Sequence, residues 1–376
     1  MVAKTITGLE EVLARELEEI GAEDVKILKR AVSFNGDKRL MYKVNLWCRT
    51  ALRILKPIRS FPLKNEADLY EQLQNIPWDE YMNVRQTLAM DAVVNDSLFT
   101  HSHFVALRSK DSVVDYFRNK FGRRPSVDTE NPDLRINIHI QDNVCDVSLD
   151  SSGTSLHKRG YKQVQGEAPM SEVLAAGLIL MSGWDKKSHF VDPMCGSGTL
   201  LMEAALIANN IPAGNYRQIF GFMNWPDYEP SLWEELQAET IDTQVEFEHR
   251  IIGCDISEKS IAISRRNLQF ARLHKDIELF HSSFQDFTPP AGNGWLVTNP
   301  PYGERLQVKD IIGLYKDMGD TLKQKYGDFH AWIISADIAN IKFIGLKPSK
   351  KYIVFNGQLE CRFLNFELYR GSKKAT

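Results

Sequence analysis

Four stretches in the second half of the chain end an apolar run in residues able to do chemistry. His189-Phe190-Val191-Asp192 runs into Pro193-Met194-Cys195-Gly196-Ser197-Gly198-Thr199, and Ile251-Ile252-Gly253-Cys254-Asp255 runs into Ile256 and Ser257. Leu279 to His281 leads to Ser283-Phe284-Gln285-Asp286-Phe287, and Val297-Thr298 leads to Asn299-Pro300-Pro301-Tyr302-Gly303-Glu304-Arg305. Each run has the length and composition of a buried strand. In an open α/β sheet, ligands bind outside the carboxyl ends of the strands. The three acids and the asparagine are therefore expected on one edge, facing one crevice.

The residue types narrow what that crevice holds. Asp192 accepts hydrogen bonds from a cationic group, and glycines at 196 and 198 let backbone approach a ligand where a Cβ would collide. The turn has neither the Lys-Ser/Thr of a phosphate loop nor the full G-x-G-x-x-G of a dinucleotide site. A ligand bearing an ammonium fits better, as the methionine end of S-adenosylmethionine does. Asp255, at the end of the second strand, is placed to accept from both ribose hydroxyls; its other role is local, because Ser257-Glu258 starts a helix there. Asp286 could accept from an adenine amino group. The expected cofactor site is Asp192, Pro193, Cys195, Gly196, Gly198, Thr199, Asp255, Ile256 and Asp286, closed by Asn299.

Asn299, Pro300, Pro301 and Tyr302 form the expected reaction site. Two prolines forbid a helix, stiffen the backbone and offer no N–H. What remains is a pair of acceptors, the Asn299 side-chain oxygen and the Pro300 carbonyl. An exocyclic amine on a planar ring is a poor nucleophile because its lone pair is delocalised. Two acceptors holding its N–H bonds orient it and favour pyramidalisation as a methyl group is attacked. The Tyr302 ring offers a face for a base, worth about 1–3 kcal/mol on the stacking scale.

At these residues the chain resembles a known family. DPMCGSGT (192–199), GCDIS (253–257), the SSFQDF acid and TNPPYGER (298–305) resemble the class I amino-methyltransferases. More narrowly, they resemble the bacterial guanine-N2 RNA methyltransferases that carry an N-terminal THUMP domain, above all the N-terminal half of the family's large-subunit (23S) rRNA members. TGLEEVLARELEEIGA resembles the start of that family's ferredoxin-like region, LHKRGYK its passage into the catalytic domain, and APMSEVLAAGLI the first catalytic-domain helix. Residues 215–233, with Phe220-Gly221-Phe222 and Trp225, resemble its long aromatic insertion. The resemblance implies methyl transfer from S-adenosylmethionine to the N2 amine of a guanine in RNA, 23S rRNA first and tRNA next. Some members continue into a second methyltransferase half, which is not expected of a sequence ending at Thr376. NPPY alone also fits an adenine-N6 DNA enzyme or a glutamine-N5 protein enzyme, and a non-catalytic RNA-binding scaffold is the alternative of a different class.

The elements that must position these residues follow from pattern. With 376 residues, 43% apolar and 25% charged, the composition is that of a soluble protein of two or three domains. No apolar run reaches membrane-spanning length and no signal-peptide core opens the chain, so a cytoplasmic enzyme without a membrane partner is expected. None of the five cysteines shows CxxC spacing, which argues against a zinc site or any other metal. The expected architecture is α/β: a doubly wound, Rossmann-like methyltransferase domain (169–376) preceded by an α+β ferredoxin-like region (1–55), a THUMP RNA-binding domain (56–155) and a linker (156–168). In the first part, a helix at 9–20, strands at 25–34 and 39–47 about a turn at Asn35-Gly36-Asp37, an amphipathic stretch at 65–76, a strand at 87–94, a helix at 102–121 and a hairpin of 134–141 with 144–150 are predicted. In the second, strands near 189–192, 250–255, 277–281, 295–298, 330–335, 351–356 and 361–369 alternate with helices at 170–182, 198–209, 257–272 and 308–325, which predicts a parallel sheet.

Net charge is −3, but it is uneven. Residues 1–165 hold 24 basic and 23 acidic groups, and the remainder 22 and 26. Residues 101–125 carry Arg108, Lys110, Arg118, Lys120, Arg123 and Arg124 against Asp111 and Asp115. Such a patch binds phosphate or is simply a solvated helix face. Arg123 and Arg124 are the first choice for RNA phosphate contacts, with Lys158 and Arg159 next.

Overall fold

The computed structural model describes residues 1–163, 170–301 and 311–368. The first part runs β1 (Val2–Lys4), α1 (Glu10–Ile20), β2 (Glu23–Leu28), β3 (Ala31–Asn35), α2 (Lys38–Trp47), β4 (Arg53–Pro62), α3 (Glu66–Gln74), β5 (Thr87–Asn95), α4 (Ser102–Phe121), β6 (Ser126–Val127), β7 (Leu134–Gln141) and β8 (Val144–Asp150). Two expectations fail here. Residues 39–47 are helix α2 and not a strand: the Asp37 carboxylate accepts the Leu40 N–H at 2.8 Å, a helix N-cap, and Leu40, Met41 and Val44 recur on one buried face. Residues 25–34 are two strands, β2 and β3, joined by a tight turn in which Arg30 takes a φ of +57°.

These strands form one eight-stranded sheet, in the order β2-β3-β1-β4-β8-β7-β5-β6. Strand β4 joins its halves. Its first residues pair with β1 (Val2 opposite Leu55), and Leu55 onward pairs with β8 (Leu55 opposite Asp150). No break in hydrogen bonding falls at residue 55. Helix α4 ends, as Gly122 predicts, in a left-handed cap with φ +67°.

The second part runs α5 (Glu172–Ser182), β9 (His189–Asp192), α6 (Thr199–Ala208), α7 (Pro230–Asp242), β10 (Ile251–Asp255), α8 (Glu258–Phe270), β11 (Ile277–His281), β12 (Gly294–Thr298), α9 (Ile311–Lys325), β13 (Phe329–Ser335), β14 (Lys350–Asn356) and β15 (Leu359–Glu367). Its seven-stranded sheet has the order β11-β10-β9-β12-β13-β15-β14. Five strands are parallel, but β15 is antiparallel to both β13 and β14. The expectation of a parallel sheet is corrected at this end: Asn356 turns into β15 through Gly357 at φ +64°, and a tight hairpin forces antiparallel pairing. Strand order reverses at β9, with β10 on one side and β12 on the other. That switch point is where such sheets bind ligands.

The segment before and within the expected linker is packed up to residue 163, and residues 164–168 of that linker lie outside the described residues. Ser151, Ser152, Leu156, Arg159 and Tyr161 are buried. The Arg217 guanidinium donates to the carbonyls of Ser152, Thr154, Ser155 and Lys158 at 2.9–3.1 Å. The aromatic insertion completes the N-terminal core, with Phe222 stacked on Tyr42 of α2 at 4.1 Å and Trp233 edge-on to both Phe220 and Phe222. Helix α5 meets the N-terminal unit at Gly177, where a Cβ would lie 2.5 Å from the Leu9 side chain. Among the described residues, no helix is long and apolar enough to cross a membrane.

Candidate active site

The turn between β9 and α6 carries two left-handed glycines, Gly196 at φ +53° and Gly198 at φ +82°. A Cβ at Gly196 would meet no protein atom within 4 Å, so this turn borders open space, whereas one at Gly198 would press on Ser264 Oγ at 3.1 Å. Three neighbours hold the turn. Asp255 Oδ2 accepts the Gly196 N–H at 2.9 Å, Ser264 Oγ donates to the Gly196 carbonyl at 2.7 Å, and Asn267 Nδ2 donates to the Ser197 carbonyl at 3.3 Å. Ser264 and Asn267 are fully buried on α8 and were not among the expected site residues. Their signal in the sequence is polar residues on the same stripe as Ile261 and Leu268, where an amphipathic helix otherwise places apolar ones.

Asp192 is buried, and its Oδ1 accepts the Met194 N–H at 3.2 Å and the Thr298 hydroxyl at 2.8 Å. Burial pushes its carboxyl up to about 7, the two donors pull the other way, and the nearby negative charge of Asp255 adds to the rise. Asp255 also accepts the N–H of Ser257, the N-cap of α8, at 2.8 Å, so it steadies the entry to α8 while it holds the glycine turn. Ile256 projects into solvent, 75% exposed, an apolar surface beside the crevice. The Pro193 carbonyl accepts from the Cys254 thiol at 3.3 Å, and Thr199 is buried at the start of α6. Cys195 is oriented inward: its thiol is buried and raised well above its usual value by desolvation, and its N–H donates to the Cys254 carbonyl at 2.9 Å. It anchors the turn through its backbone. All five cysteines are buried, and none is in a disulfide.

Asp286 lies farther out. The Ser282 N–H donates to the Asp255 carbonyl at 3.1 Å, which keeps this turn beside β10, while the exposed Asp286 carboxylate accepts from Ser283 Oγ at 2.6 Å. It borders a surface cleft of about 400 Å³ with Phe280, His281 and Pro289. Asn299 follows β12 directly, and its Oδ1 is buried with no hydrogen-bond partner among the described residues. An unpaired buried acceptor costs about 1–3 kcal/mol, so its presence at a sheet edge marks a place for a donor. Pro300 is buried and Pro301 half-buried behind it. Tyr302, with Gly303 to Arg305, lies outside the described residues.

The profile of the RMKL-like methyltransferase domain matches residues 159–365, more than half of the chain. The chain belongs to this methyltransferase family. A THUMP domain matches 64–150 and an RlmL ferredoxin-like domain 1–55. The Synechocystis sp. protein slr0064, provisionally named as an RNA methyltransferase, is 41% identical over 98% of this chain and 96% of its own length. A Syntrophotalea carbinolica protein named ribosomal RNA large subunit methyltransferase K/L is 39% identical over 96% of this chain, which spans 52% of that relative. The solved structure of SMU.472, titled as a methyltransferase complexed with SAH, aligns with a TM-score of 0.87 at 30% identity, covering 99% of this chain and 98% of its own.

In this methyltransferase the basic groups sort sharply. Lys110 pairs with Asp111 at 2.5 Å, Arg118 with Asp115 at 2.8 Å and Lys120 with Asp79 at 2.8 Å, while Arg108 lies 4.1 Å over the Tyr70 ring. Arg123 and Arg124 are exposed just beyond α4, with no ion-pair partner among the described residues. Lys158 is exposed as well. Arg159 corrects the expectation of an RNA contact. It is 1% exposed, its Nε donates to Glu203 Oε1 at 3.3 Å, and its Nη1 donates to the Leu156 carbonyl at 2.8 Å. Its Nη2 donates to the Arg49 carbonyl. Glu203 is fully buried on α6 and also accepts from Tyr161 at 2.7 Å. A guanidinium enclosed in this way cannot reach a phosphate. It clamps the N-terminal unit to the helix that begins at the glycine turn.

Proposed function

We propose that this chain transfers a methyl group from S-adenosylmethionine to the exocyclic N2 amine of a guanine in RNA, with 23S rRNA as substrate before tRNA. The observation that carries the reading is the orphaned Oδ1 of Asn299 at the end of β12, one strand from the glycine turn. The chain's residues fit the cofactor. Asp192 meets the ammonium of its methionine end, the open side of Gly196 admits the chain, Asp255 accepts from the ribose, and the bare apolar face of Ile256 covers the adenine, with Asp286 at its rim. Bound there, S-adenosylmethionine supplies an electrophilic methyl group on a sulfonium.

The chain's own residues do the rest. An amine inside a helix cannot reach a protein cleft, so a paired target base must first be flipped out. Asn299 Oδ1 and the Pro300 carbonyl then take its two N–H groups, and Tyr302 stacks on the ring. No strong general base is needed before attack, because the nitrogen becomes acidic only as the new bond forms. Arg123, Arg124 and Lys158 hold the RNA backbone, an electrostatic contact that carries no sequence information.

The test is single-turnover transfer to unmodified 23S rRNA and to tRNA, with the product nucleoside identified by mass spectrometry. N2-methylguanosine is expected, from rRNA first. Asn299→Ala should lower the rate by about a hundredfold and weaken cofactor binding far less, since its contact strengthens in the transition state. An N6-methyladenosine product, or a near-normal Asn299→Ala rate, refutes the reading.

A further inference from the structure

Asp192 and Asn299 sit on neighbouring strands, and a single hydroxyl joins their surroundings. Thr298 is fully buried at the end of β12, directly before Asn299. Its Oγ1 donates to Asp192 Oδ1 at 2.8 Å. The other donor to that oxygen is the Met194 N–H, part of the turn's own backbone. Both bonds fall on Oδ1, which leaves Oδ2 without a partner among the described residues. The ionisable groups around the carboxylate are Asp255 on β10 and the thiols of Cys195 and Cys254. Desolvation raises both thiols, so they stay neutral near pH 7. None of these groups is a cation, and Thr298 is the one side chain among the described residues that donates to Asp192.

We propose that Thr298 is a positioning residue for methyl transfer: it orients the Asp192 carboxylate and holds it charged, so that Oδ2 faces the donor's ammonium while the same strand presents Asn299 to the target amine. This rests on the cofactor reading above. A buried carboxylate is costly to ionise, and hydrogen bonds to the charged form offset that cost. Burial already raises Asp192 to about 7, so this hydroxyl acts where the carboxyl titrates near neutral pH. The strand geometry adds a second consequence. Because Thr298 and Asn299 are adjacent, any shift of β12 that disturbs the amine acceptor also disturbs the Asp192 bond.

The full chain is titrated with S-adenosylhomocysteine by calorimetry between pH 6 and 8.5. The wild type should bind more tightly as pH rises through about 7, because the ammonium prefers the ionised carboxylate, and then level off. Thr298→Val keeps shape and strand preference but removes the donor, and one hydrogen bond to a charged group moves the midpoint up by about one pH unit. Its affinity should be roughly tenfold weaker at pH 6.5 and within about twofold of wild type at pH 8.5. Thr298→Ser restores the donor and should follow the wild-type curve. A Thr298→Val loss that is equal at every pH, or no loss at any pH, overturns the proposal. Failure of the wild type itself to bind overturns the cofactor reading instead.

Discussion

Arg159→Ala separates a structural clamp from an RNA contact. The change removes a guanidinium that is 1% exposed and leaves Glu203, 0% exposed, without its closest cation. The carbonyls of Arg49 and Leu156 lose their donor as well. Breaking a buried ion pair by removing one partner costs about 3–5 kcal/mol. The Arg49 guanidinium, fixed on the carbonyls of Leu206 and Ile211, stays close enough to interact with Glu203, which sets the expectation at the lower end, about 3 kcal/mol. With an m-value of about 3 kcal/mol/M, the urea midpoint falls by about 1 M. The double variant Arg159→Met with Glu203→Gln removes both charges at similar volume and should recover most of the loss. Circular dichroism during urea unfolding reads the midpoint, and RNA binding across a salt series reads the alternative. A midpoint within about 0.3 M of wild type, together with a salt slope that drops by one phosphate contact, would refute the clamp.

The remaining predictions concern the cofactor edge and the basic rim. Asp255→Ala removes the acceptor of the Gly196 N–H and the proposed acceptor for the ribose, and should weaken S-adenosylhomocysteine binding by about 10–100-fold in calorimetry; an unchanged affinity excludes Asp255 from the site. Arg123→Glu with Arg124→Glu should weaken RNA binding and flatten the dependence of log K on log salt by about 1.4–1.8, with cofactor affinity unaltered; an unchanged slope in a filter-binding series would show that the RNA lies elsewhere.

The placement of the candidate residues on one sheet edge was legible because its signals are local. Asp192, Asp255 and Asn299 each close an apolar run of strand length, and a strand order that reverses at β9 brings such ends together. The hairpin of β7 and β8 and the limits of α4 rest on alternation and on a terminal glycine, both readable over a few residues. Residues 39–47 misled because a short apolar run fits two periods, and the Asp37 cap with its helical stripe prevailed over the turn reading of Asn35-Gly36-Asp37.

What the sequence by itself determined was which glycines, acids and amide stand at the strand ends, since a turn's conformation is set by residues that lie beside one another. Tertiary structure decided the fate of each polar residue whose partner is remote. Arg159 reads as a surface cation until Glu203, 44 residues on, and Arg49, 110 residues back, close around it. Thr298 reads as an ordinary strand residue until Asp192, 106 residues away, accepts the hydrogen bond of its hydroxyl. Likewise, Asn267 on α8 becomes part of the glycine turn only across 70 residues of intervening chain. Burial makes these pairings matter, because an ion or hydroxyl removed from water must find its counterpart in the fold, and no local pattern records which one it finds.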